Sequence, residues 1–179
     1  MRIIRQATLV SAMLLAVPAL APVAIPAPAH AQQTATLSGP AFVEAAGVLS
    51  LFEIASSELA LKKTSNPQVI AFAEKMIADH RALQDQLRAA VAEARGEFTL
   101  PTVLDAKSET ALERLNGATG TEFDTLYIQT QTQSHNAAVS LFSAFEKDGD
   151  QSALKTFATK ALPALNAHLE TLRTMQVKT

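Results

Sequence analysis

Four polar side chains carry the chemistry this sequence offers: Glu53, His80, His135 and His168. Each falls in a different stretch of helical periodicity, and each lies within that stretch's apolar stripe. On the first stretch Phe42, Ala46, Leu49, Phe52, Ser56 and Ala60 share a face with Glu53. On the second, His80 is centred among Phe72, Ala73, Met76, Leu83 and Leu87. His135 lies on the face of Phe123, Tyr127, Ala138, Phe142 and Phe145, and His168 on that of Leu154, Phe157, Ala161, Leu165 and Leu172. Neighbours at three, four and seven residues share a face because the helix repeats every 3.6 residues. A buried polar group without a partner costs about 1–3 kcal/mol, and a charged one more. Four such costs would consume much of a domain's stability of roughly 5–15 kcal/mol. The four groups are therefore expected to meet each other, a metal ion or ordered water.

One carboxylate and three neutral imidazoles suit a single divalent transition metal, Zn²⁺, Fe²⁺, Mn²⁺ or Cu²⁺. A plainer reading stands beside this for each residue. Glu53 could lie at the stripe's edge with its tip in water. His80 and His135 could be core histidines satisfied by Tyr127, Thr130 or Gln131. His168 could bond Asn136 or a carbonyl freed by Pro163. Asp79 borders the second stripe, either as an acceptor orienting an imidazole or as a solvated flank residue. Glu58 and Lys62, four apart, read as a surface ion pair. Ser56 and Ser57 sit in no nucleophile motif, so no catalytic residue is assigned. The chain has no cysteine, which excludes thiolate zinc sites, Fe–S clusters and c-type haem. A b-type haem held by two histidines is disfavoured by a core filled with leucine and phenylalanine.

Four long helices must position these residues: about 40–64, 67–95, 121–147 and 151–175. Asn66-Pro67, Gly96, Thr121 and Asp148-Gly149-Asp150 punctuate them, with Asn66, Thr121 and Asp150 as caps. Residues 97–120 form a long connection in which Leu104, Ala111, Leu112 and Leu115 suggest a short helix. Short turns make the first and second helices antiparallel, and likewise the third and fourth long helices; the long connection is able to cross over. Glu53 and His80 lie at matched distances from Asn66 and should sit at one height. His168 lies five residues further from the Gly149 turn than His135 does, roughly 7 Å of helix rise.

The domain itself is expected at residues 40–179, after a leader. Arg2 and Arg5, the apolar run from Ala7 to Leu20 and Ala29-His30-Ala31 read as a cleavable signal peptide over residues 1–31, with 32–39 a loose polar segment. His30 would leave with it, and no later stretch reads as a membrane span. Of 179 residues, 148 would remain (179 less 31), enough for one domain. Without Arg2 and Arg5, 13 basic residues face 17 acidic ones, a balance of −4 that argues against nucleic acid. The expected location is the periplasm; no protein partner is indicated.

Several short strings occur together in order: Phe52-Glu53-Ile54, Asn66-Pro67, Phe72-Ala73, Met76 and Asp79-His80. Phe123-Asp124 follows with Tyr127, Gln131 and His135, then Leu162-Pro163 with Leu165 and His168. In this the mature chain resembles the bacterial domain-of-unknown-function family 4142. The resemblance implies an exported protein with a ferritin-like four-helix bundle fold and matches Glu53, His80, His135 and His168 to the family's polar positions. It implies no reaction. Di-iron ferritin-like sites use Glu-x-x-His on two helices. Here Ile77, Thr132 and Leu165 stand three residues before the histidines, so a single metal ion is expected, not a carboxylate-bridged pair. The alternative is a non-enzymatic envelope or stress-related interaction protein whose core polar groups form only a hydrogen-bonded network.

Overall fold

In the computed structural model, which describes residues 37–175, the chain is all-α. Five helices follow in the order α1 (Gly39–Lys63), α2 (Pro67–Glu93), α3 (Ala106–Gly117), α4 (Gly120–Asp148) and α5 (Ser152–Thr174). There is no strand among the described residues. The expected signal peptide lies outside them.

Local chemistry sets the helix ends. Ser38 caps α1, its hydroxyl accepting from Ala41 N, and Pro40 fits the first turn. Asn66 caps α2 by accepting from Gln68 N at 3.0 Å. Asp105 does the same for α3 at Ser108 N, 2.8 Å. Two expected caps are corrected. The N-cap of α4 is Thr119, not Thr121, because Gly120 turns the chain earlier with a left-handed φ of 57°. The N-cap of α5 is Gln151, without a side-chain bond. Asp150 instead accepts from Gly39 N at 2.8 Å and ties the start of α1 to the turn before α5. The second helix stops at Glu93, and the left-handed glycine, Gly96, lies in the bend beyond it.

The long helices bury two apolar clusters. One contains Phe42, Leu83, Leu87, Phe142, Phe145, Leu154 and Phe157, with the Phe42 and Phe145 rings stacked at 4.0 Å. The other contains Phe72, Met76, Leu115, Phe123, Tyr127, Leu169 and Leu172. Going along the chain, α1 and α5 pass from the first cluster to the second, whereas α2 and α4 pass from the second to the first. Helix α1 packs on α2 and α4, and α5 packs on the same two. Each of these neighbouring pairs is therefore antiparallel. Since α2 ends beside the first cluster and α4 begins beside the second, their connection must travel the length of the helices. It does so with α3 against α1 and α4. Gly47 lets this connection approach closely: a Cβ there would lie 2.5 Å from the Pro101 ring.

Against the expectation from sequence, α1 is long and apolar enough to cross a bilayer. Half of that stretch is buried within the protein, however, and Glu53 is among the buried residues. Its apolarity belongs to a core helix.

Candidate metal centre

A polar layer separates the two apolar clusters. On α1 it is built by Ser50 and Glu53, on α2 by His80, on α4 by Gln131 and His135, and on α5 by His168, all buried. On each helix these residues continue the inward stripe, so the helical repeat that packs the core also delivers its polar groups to the centre.

The three imidazoles form a compact triangle. Ring centroids are 5.2 Å apart for His135 and His168, 5.6 Å for His80 and His135, and 5.8 Å for His80 and His168. One nitrogen from each ring lies within 4.8 Å of the other two. The nearest pair is His135 Nε2 and His168 Nδ1, at 3.1 Å. The outer nitrogens decide what these inner ones can be. His135 Nδ1 donates to the Gln131 carbonyl at 2.9 Å, and His168 Nε2 donates to Asp79 Oδ2 at 2.7 Å. A neutral imidazole carries one N–H, so with the outer positions protonated both inner nitrogens present lone pairs. Two lone pairs at 3.1 Å repel unless a cation lies beside them. His80 adds a third nitrogen: Nδ1 lies 3.5 Å from Ser50 Oγ, and Nε2 is buried without a hydrogen-bond partner.

Helix geometry brings His168 into this group despite the five-residue offset. Counting from the helix ends instead of from Gly149 removes two of those residues, because the turn at 149–151 belongs to neither helix. Measured from the helix ends, His135 lies thirteen residues before Asp148 and His168 sixteen after Ser152. The remaining three residues amount to about 4.5 Å of rise, within the reach of two facing imidazoles.

Glu53 occupies a different position from the histidine nitrogens. Its Oε1 accepts a hydrogen bond from the Ser134 hydroxyl and lies 3.7 Å from His135 Nδ1, the outer nitrogen of that ring. Its Oε2 is buried without a partner. At the height of His80, α1 offers Ser50, one turn earlier, while Glu53 turns toward α4. Below Glu53, Gln131 Nε2 donates to Ser56 Oγ at 2.9 Å, and the hydroxyls of Ser57 and Tyr127 share a bond of 2.8 Å.

Burial dominates the electrostatics. It holds His80 well below the ordinary imidazole range, with His135 and His168 adding to the effect. Burial also lowers His168, against the bond to Asp79. It raises Glu53, outweighing His135, Ser134 and Gln131. Burial alone would raise Asp79 as well, but the hydrogen bonds from Lys75 and His168 prevail and its carboxyl lies below its usual range. The result is two imidazoles held neutral and an outer carboxylate held charged, which is what a metal-binding histidine requires of its surroundings.

Two participants, Ser134 and Ser50, are hard to see in sequence, and for Asp79 the structure selects the first of its two readings, the acceptor that orients an imidazole. Asp79 is the acceptor on His168 and bonds Lys75 as well, at 2.7 Å. Ser134 stands beside His135 outside its stripe and reaches Glu53. Ser50 carried one signal, a place three residues before Glu53 on the same inward face. The Asn136 amide bonds the Thr132 carbonyl and takes no part. Glu58 pairs with Arg81 at 2.9 Å, not with Lys62.

No curated protein and no solved structure matches this chain. A family model, Domain of unknown function (DUF4142), matches residues 24–175. That span covers most of the sequence and takes in every residue of the polar layer, so the chain belongs to this family.

Proposed function

We propose that this protein is an exported, ferritin-like four-helix bundle whose core binds one divalent transition-metal ion through His80, His135 and His168. Glu53 supplies negative charge from behind His135. The observation that carries the reading is the pair of facing lone pairs on His135 Nε2 and His168 Nδ1, with a third nitrogen, from the buried His80, within 4.8 Å of ligand atoms on both. A proton is a poor occupant, because burial disfavours the charged form of His80 and His168. A divalent ion accepts three neutral nitrogens, and Zn²⁺, Fe²⁺, Mn²⁺ and Cu²⁺ all suit such donors to different degrees. Three protein ligands leave further coordination open to water or a small ligand. Asp79 and the Gln131 carbonyl would hold two of the rings in the tautomer that binds. The ferritin-like description is supported by antiparallel neighbours and a connection that runs the length of the helices. Export is supported by the basic start, apolar run and Ala29-His30-Ala31 pattern.

Titration of the purified, untagged, chelator-treated chain with Zn²⁺ and Co²⁺ tests the metal. One ion per chain is expected, lost in His80→Ala and His135→Ala. No uptake by the folded chain would rule it out.

A second reading has its own observation. A proton held between His135 Nε2 and His168 Nδ1 in place of a metal would make the chain His135–His168–Asp79–Lys75 continuous, as in a purely structural network within an envelope interaction protein. It predicts a chain indifferent to metal, which the same titration reads.

A further inference from the structure

A groove of about 450 Å³ runs between α1, α3 and α4 on the face of the protein nearest Glu53. Its volume is that of small organic ligand sites, commonly about 300–1,000 Å³. The floor is apolar: Val48, Leu49 and Phe52 from α1, with Ala45, Ala111 and Ala137 giving width. The rim carries Glu44, Asp105 and Lys107, mixed in sign with acid in excess. One polar group in the wall connects with the interior. Ser134 lines the groove and donates its hydroxyl proton to the buried Glu53 carboxylate. Having spent its proton inward, Ser134 Oγ keeps only lone pairs for anything in the groove.

Three constraints then fix the ligand's chemistry. The floor asks for a flat apolar body. Ser134 asks for a hydrogen-bond donor. Glu44 and Asp105 at the rim repel an anion. A cationic head would have to leave water beside a mostly apolar wall, meeting Glu44 and Asp105 only at the exposed rim and with Lys107 among them. A neutral O–H meets every condition at the lowest desolvation cost. We propose that the groove between α1, α3 and α4 binds an uncharged phenol or aromatic alcohol whose hydroxyl donates to Ser134. The bound hydroxyl is then linked through Ser134 and Glu53 to His135, 3.7 Å further in. That linkage to a metal rests on the function proposed above; the binding itself does not.

The test uses 1-naphthol as probe and the full chain, with chelator present and again with Zn²⁺. The chain has no tryptophan, so naphthol emission is read against little protein background. One saturable site is expected under both conditions. Ser134→Ala should weaken 1-naphthol roughly tenfold, the loss of one buried hydrogen bond. It should leave 1-methylnaphthalene, which has no donor, unchanged. Ala45→Phe, which fills the floor, should abolish both; if it does not fold by circular dichroism, Ala137→Leu narrows the same groove from its outer side. Naphthalene-1-sulfonate should bind far more weakly than 1-naphthol. The proposal is overturned if 1-naphthol does not saturate, if Ser134→Ala binds it as the parent does, if the folded filling variant still binds, or if the sulfonate binds equally well. Failure of metal uptake would leave these chelator-side results intact, so the two proposals fail separately.

Discussion

At the scale of single residues, the site depends on atoms that touch no metal. Asp79 and the Gln131 carbonyl each take the outer N–H of an imidazole and thereby define the inner nitrogen as a donor of electrons. Asp79→Asn removes the charge but keeps the shape, and it should weaken metal binding by about 10–100-fold in chelator competition while the helix content stays constant. An unchanged affinity would mean that the outer bond does not set the tautomer. His80→Ala should abolish binding at little cost to the metal-free fold, because an unpartnered buried nitrogen leaves with the ring. Glu58→Ala is the control: its bond to Arg81 is exposed on both sides, and surface pairs contribute about 0–1 kcal/mol. The pH dependence follows from the same burial. His80 and His168 resist protonation in the folded chain, whereas in the unfolded chain they take up protons near their ordinary value of 6.5. The unfolded state then holds more protons, so stability is fully present above that value and declines as pH falls below it. Glu53 acts in the opposite sense, holding its proton more readily when folded, and its contribution is lost as pH rises from 4.5 through its raised value. In chelator, the urea midpoint should therefore be lower at about pH 5.5 than at about pH 7.5, and His80→Ala should flatten the decline. A midpoint that rises on acidification would show Glu53 to dominate.

At the scale of elements, the periodicity of polar and apolar residues places every long helix and its buried face. Asn66-Pro67 marks the start of α2 because both residues act locally, one as cap and one as first-turn residue. Where a helix end depends on a distant partner, local patterns mislead. Asp150 has the composition of a cap for α5, yet it serves Gly39, more than a hundred residues away. Glu53 shows the same limit within the site. Counting residues from Asn66 sets Glu53 level with His80, whereas Ser50, one turn earlier, faces His80 and Glu53 turns toward α4, because α1 packs against α4 as well as α2. The connection before α3 passes close against α1 at Gly47, and nothing local marks that glycine as special. Gly47→Ala would put a methyl 2.5 Å from the rigid Pro101 ring. Gly47→Ala should destabilise the protein by about 1–3 kcal/mol despite its better helix propensity, as overpacked contacts do. A stabilised variant in denaturant unfolding would show that the connection moves aside freely.

At the scale of the whole molecule, two apolar clusters enclose a polar layer to which all four long helices contribute, α1 and α4 with two residues each. Sequence periodicity makes this layer legible as four inward polar positions. It cannot reveal which nitrogens face one another, since that depends on ring orientation and on outer partners such as Asp79 and Ser134 that lie off the stripes. Because the ligands come from α2, α4 and α5, a bound ion would join three of the long helices and act as a stabiliser of the folded state alone. At a free metal concentration 100 times its dissociation constant, it should add about 2.7 kcal/mol, read as a rise in thermal midpoint that His80→Ala and His135→Ala lack. The most direct test is the metal content of the chelator-treated, untagged chain after Zn²⁺ or Co²⁺ is added and excess removed. A tightly held ion in every chain, absent from His80→Ala, His135→Ala and His168→Ala, is the predicted result. A folded parent chain that retains no metal, or one whose bound metal survives all three substitutions, would contradict it.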